Sequence, residues 1–250
     1  MDALAFLAPA ELGAGVTVAL MAVSFAGSFI TIAFGIGGGV LVLATMASLM
    51  PPAALIPVHG VVQLGSNAGR AAATFRHIHW PALGWFGVGS LLGAVVGAPL
   101  VVNIPGAFVQ IGVGLFVIWS VALRPPVWMR RWPVITGAAS TFLTMFFGAT
   151  GPFVSTYTRS LSLGRHGYAG TQASLMVMQH LLKTLAFGLL GFAFADWAGF
   201  AVLMILAGLA GTFAGRLVLD QLNDARFQQT LNLLLVLIAL RLVWAGVSAL

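Results

Sequence analysis

The sequence predicts an all-helical integral membrane protein of two inverted-topology repeats. Each repeat holds a broken, re-entrant helical hairpin plus three transmembrane helices. Three observations predict this. Of the 250 residues, 60% are hydrophobic and 6% charged, whereas a water-soluble domain carries roughly 25% charged residues. The apolar residues form continuous runs, several near the roughly 20 residues that cross a bilayer as helix, not the short alternating segments of a β-barrel. Finally, a glycine-rich turn and an intramembrane cation occur twice at one spacing.

Charges, prolines and glycines cut the chain into ten apolar pieces. The first half reads 12–34, 38–50, 54–75, 81–101 and 106–123. A basic linker, RPPVWMRRWP, follows at 124–132 and runs into Pro133. The second half reads 133–147, 152–163, 168–193, 197–218 and 227–249. The second piece of each half is too short to span: about 12 helical residues rise only about 18 Å, against a hydrocarbon core of about 30 Å. The first repeat is therefore 1–123 and the second 133–250.

An offset of 113 residues relates the halves. It carries FGIGGGV (Phe34 to Val40) onto FGATGPF (Phe147 to Phe153), Asn67 onto His180, Arg70 onto Lys183 and His59 onto Gln172. Loop charge sets the orientation. Arg76, His77 and His79 form one basic loop, Arg124, Arg130 and Arg131 a second, Arg159, Arg165 and His166 a third, and Arg216 and Arg226 a fourth. The loops near 51–53, 101–106 and 193–197 hold no Lys or Arg. With basic loops cytoplasmic, piece 54–75 runs inward and its counterpart 168–193 runs outward. The halves are then inverted, the hairpins enter from opposite sides, and both termini are external. Such repeats with broken helices and a midplane site are a recurring transporter plan.

Arg70 and Lys183 lie inside apolar segments. The five acids, Asp2, Glu11, Asp196, Asp220 and Asp224, all fall near the chain start or in loops. A buried cation costs several kcal/mol unless it is neutralised or solvated, so an anionic substrate is the expected neutraliser. His59, Gln63, Asn67 and Arg70 are spaced 4, 4 and 3 apart on one helical stripe, and Gln172, Met176, His180 and Lys183 repeat that spacing. Such a stripe faces protein or water, not lipid. The glycines let a ligand approach the main chain, and the helix starts that follow them favour anions. The expected substrate-binding set is Arg70, Lys183, Asn67, His180, Gln63, Gly37, Gly38, Gly39, Thr150 and Gly151. Competing readings are a close helix crossing at the glycines, a hydrogen-bonded seam along the stripes, and snorkelling of Arg70 to the cytoplasmic interface.

Other chemistries have little support. Cysteine is absent, which excludes disulfides and Cys-based metal sites. His77 and His79 have no companion ligands that would make a zinc set. No cofactor, metal or catalytic set is expected. The net charge of +6 sits mostly in short loops, so it sets topology and does not signal nucleic-acid binding. The expected partners are a small anion and the lipid bilayer. The oligomeric state is left open, a homodimer included.

GIGGGVLVLATMASLMPP, followed by a helix ending at Arg70 and a basic loop (Arg76-His77-Ile78-His79), resembles the first half of the TauE/SafE sulfite exporter family. GATGPFVSTYTRSLSLG resembles that family's second glycine motif, with Ala149-Thr150 departing from its more glycine-rich form. The resemblance implies a bacterial inner-membrane exporter of sulfite or organosulfonates such as sulfoacetate. It carries over to Gly35, Gly37, Gly38, Gly39, Gly148, Gly151 and Pro152. Rival readings are a passive anion channel, a membrane enzyme using His59 or His180 as acid–base, and a structural subunit.

Overall fold

Ten α-helices run through the described residues of the computed structural model, which are 9, 11–35, 37–101, 104–123, 126–217 and 225–250, with backbone alone at 225–228. They are α1 Ala14–Phe34, α2 Gly38–Leu49, α3 Pro52–Ala73, α4 Pro81–Val101, α5 Gly106–Ala122, α6 Pro133–Phe147, α7 Gly151–Ser160, α8 Arg165–Leu189, α9 Ala198–Arg216 and α10 Ala225–Ser248. Each matches one expected piece within a few residues. Asp2, Asp220, Asp224 and Arg124, and the side chain of Arg226, lie outside the described residues.

Both expected breaks occur, and they share one geometry. Gly35 ends α1 with φ 88° and its N–H donates to the Thr31 carbonyl at 2.9 Å. Gly148 ends α6 with φ 81°, its N–H donating to the Thr144 carbonyl at 3.1 Å. A positive φ is cheap only for glycine, and this cap is a common way to stop a helix. The offset of 113 relates both the two glycines and the two threonines. The half-length helices α2 and α7 start directly beyond these turns.

Among the described residues, four helices are long and apolar enough to span a membrane: α1, α4, α9 with the turn before it (Phe194–Arg216), and α10 from Gln229. Helices α3 and α8 have 22 and 25 residues but carry the polar stripes. They pack against each other, with α9 also against α3 and α4 against α8. Protein therefore shields their polar faces from lipid.

The most extensive helix contacts are α4 with α6, α1 with α9, α5 with α10, and α3 with α8. Exchanging the two halves of the chain maps this set onto itself. Backbones approach closely at small residues, as membrane helix pairs require. A Cβ on Gly89 would come within 1.9 Å of the Val134 carbonyl oxygen, and one on Gly211 within 2.0 Å of the Phe25 carbonyl oxygen.

Basic loops meet at one end of the bundle. The rings of His77 and His166 lie 5.2 Å apart, the His79 N–H donates to Thr171 Oγ1 at 2.9 Å, and Ser160 Oγ donates to the Arg130 carbonyl at 2.9 Å. The starts of α3 and α5 share the other end, where a Cβ on Gly106 would lie 3.0 Å from Pro52. Arg241 is exposed on α10.

Candidate functional site

The two glycine turns and the two polar stripes converge on one cavity of about 40 Å³. That is room for about three waters at roughly 10–15 Å³ each. The first hairpin contributes Thr31, Gly35, Gly37, Gly39 and Val40, and the second Ala149, Gly151 and Pro152. Helix α3 adds His59, Gln63, Asn67 and Arg70, and α8 adds Gln172, Met176 and His180. These stripe residues bracket the middle of their helices, so the cavity lies near the centre of the bundle. No carboxylate is among the described lining residues.

The chemistry of the lining is donor-rich. Arg70 is 6% exposed and His180 1%. Arg70 Nη2 donates to Asn67 Oδ1 at 2.5 Å, and Asn67 Nδ2 donates to the Gln63 carbonyl at 2.6 Å. Arg70 Nε, His59 Nδ1 and both ring nitrogens of His180 have no hydrogen-bond partner among the described residues. Few polar groups stay unpaired inside a protein, because each costs about 1–3 kcal/mol. Guanidinium only donates, and one nitrogen of the neutral His180 ring can; His59 Nε2 already donates to the Gly39 carbonyl at 3.4 Å, which leaves its Nδ1 an acceptor. The complement of this set is small, negatively charged and rich in acceptors. The His59 and His180 rings stand edge to face, 6.0 Å apart.

Side chains of α8 hold both tips in place. Tyr168 Oη donates to the Gly35 carbonyl at 3.4 Å and pairs with Ser155 Oγ at 2.7 Å. Gln172 Nε2 donates to the Gly151 carbonyl at 3.2 Å, while Thr158 Oγ1 donates to Gln172 Oε1 at 2.7 Å. Gln179 Nε2 donates to Ser140 Oγ at 2.6 Å and Thr141 Oγ1 at 3.0 Å.

Of the expected set, Arg70, Asn67, Gln63, His180, Gly37, Gly39 and Gly151 line the cavity. Three members stand elsewhere. Gly38 packs against α1, where a Cβ would meet the Gly27 carbonyl oxygen at 1.7 Å. Thr150 is fully buried, with Oγ1 donating to Gln179 Oε1 at 3.3 Å. Lys183 is also fully buried, and its Nζ donates to the Gly148 carbonyl at 3.1 Å. That carbonyl closes α6, whose C-terminus carries partial negative charge. Lys183 thus finds a counter-dipole in the protein, which Arg70 Nε does not.

Several lining residues were absent from the expected set. His59, Gln172 and Met176 were visible as stripe members. Thr31 had one signal only: it precedes Gly35 by four residues, as Thr144 precedes Gly148.

The sequence model described as "Sulfite exporter TauE/SafE" matches residues 20–242. Searches of curated proteins and of solved structures found no match.

Proposed function

The chain belongs to the sulfite exporter TauE/SafE family, and from that premise we propose that it exports a small sulfur oxyanion, sulfite or an organosulfonate such as sulfoacetate, by alternating access. The observation that carries this reading is the central cavity, where Arg70 and His180 present unpaired nitrogens and no carboxylate competes among the described residues. Arg70 takes two oxygens of the anion through its planar fork. His180 contacts another, with backbone N–H groups near Gly39 and Gly151 at the starts of α2 and α7, while Asn67 holds the guanidinium in place. Lys183 acts at one remove: it braces the tip of the second hairpin and adds positive potential.

The reading places the protein in the bacterial plasma membrane, with the basic loops cytoplasmic and both termini external. The two halves are inverted repeats, and the exchange-symmetric helix contacts support that. One hairpin unit rocks against the rest, so that the small cavity opens to each side in turn. A passive channel needs a continuous path, and a cavity of about 40 Å³ walled by both tips favours a carrier. TauE/SafE proteins are transporters, and no bond-breaking step is assigned to His59 or His180.

Binding of a ligand panel to the purified protein tests this. Sulfite and sulfoacetate are expected to bind, and acetate and succinate to bind at least tenfold more weakly. Equal or tighter binding of the carboxylates would reject a sulfur-oxyanion site.

A further inference from the structure

We propose that a second, larger cavity on the basic face is an anion-collecting vestibule, in which Arg130 and Arg159 draw sulfur oxyanions towards the hairpin tips and give the carrier a lower KM on that face than on the opposite one. This rests on the transport reading above and adds a sidedness to it.

The vestibule has a volume of about 650 Å³ and is bounded by the end of α5, the turn before α6, α7 and α10. Ser120, Arg130, Ser155, Thr156, Arg159 and Asn232 supply its polar wall. Gly37, Val40 and Pro152 line both this space and the central cavity. The tips of the two hairpins are therefore the partition between them, and a modest displacement of either tip joins the two spaces.

Both arginines are exposed at the mouth. The acidic side chains among the described residues are Glu11 and Asp196, and neither lines the vestibule. Arg159 is also oriented: its Cζ lies 5.8 Å from the centre of the Tyr168 ring. Tyr168 is fixed in turn by Ser155, a vestibule residue. The charge stays over the opening.

The opposite face contrasts with this. A cavity of about 460 Å³ there is walled by Pro52, Ile56, Val101, Ile104, Phe187 and Phe192, with no charged residue in its described lining. A cleft lined with one sign of charge raises the local concentration of the opposite ion, and salt weakens that effect. One mouth thus gathers anions and the other does not. Equilibrium across the membrane is unaffected. The asymmetry appears in the concentration needed to half-saturate each face.

The experiment measures radiolabelled sulfite flux in membrane vesicles of both orientations, with the basic face identified by labelling of an Arg131→Cys variant. The unmodified protein should show a KM about three- to tenfold lower at the basic face. Raising the ionic strength should shrink that difference, and the other face should respond little. Arg130→Gln/Arg159→Gln should raise the basic-face KM towards the opposite-face value with maximal rate retained, and Arg130→Lys/Arg159→Lys should restore it. Equal KM values at the two faces, or a basic-face KM indifferent to salt, would overturn the proposal without recourse to any variant. A separate arm uses the cysteine-free background: Thr156→Cys should react with an impermeant thiol reagent from the basic face. Labelling there without sulfite flux would refute the transport reading and with it the KM asymmetry, while showing that the cavity opens on the basic face. Labelling from the opposite face would refute the vestibule.

Discussion

At the scale of single residues, the two intramembrane cations are not equivalent. Arg70 lines the cavity with an unpaired Nε, while Lys183 already donates to the Gly148 carbonyl. Hydrogen bonds to a charged group contribute about 1.5–3 kcal/mol, which corresponds to roughly 10- to 150-fold in affinity. Arg70→Gln should therefore weaken sulfite binding by about that factor in calorimetric titration. Lys183→Met should weaken it less, because that ammonium is turned to a helix end and not to the ligand. A larger loss in Lys183→Met than in Arg70→Gln would place the anion at the wrong end of the cavity. This distinction was not legible in the sequence, where both cations look alike at one offset. A carbonyl partner is chosen by tertiary placement, and Gly148 is 35 residues away from Lys183.

At the scale of elements, the glycines of one turn divide into two roles. Gly37 and Gly39 line the cavity, whereas Gly38 is the contact between α1 and α2. Gly38→Ala pushes a methyl into a carbonyl, and overpacking of this kind costs about 1–3 kcal/mol. Its melting temperature in detergent should fall clearly. Gly151→Ala meets nothing within 4 Å and should leave the melting temperature nearly unchanged. Equal effects would mean that the first hairpin is not packed as described. The ten helices themselves were readable, because proline, glycine or charge marks nearly every end. Helices α3 and α8 were readable for a different reason: stripes at 4-4-3 spacing, polar but for Met176, betrayed their shared interior face. A contiguous glycine run, by contrast, has no side chains with which to announce which member meets ligand and which meets backbone.

At the scale of the whole molecule, loop charge and helix pairing tell one story. Three of the basic loops collect at one end of the bundle, and the helix contacts map onto themselves when the halves are exchanged. The predicted topology puts that basic end in the cytoplasm. In intact cells an impermeant thiol reagent should label Asp196→Cys and spare Arg131→Cys, and the reverse pattern would invert the orientation. Between the two faces lies the cavity on which the account depends. Its most direct test is titration of the purified protein with sulfite, compared side by side with Arg70→Gln that inserts and melts normally. The account predicts saturable binding to the unmodified protein and at least a tenfold loss in the variant. Unchanged affinity in Arg70→Gln would contradict it.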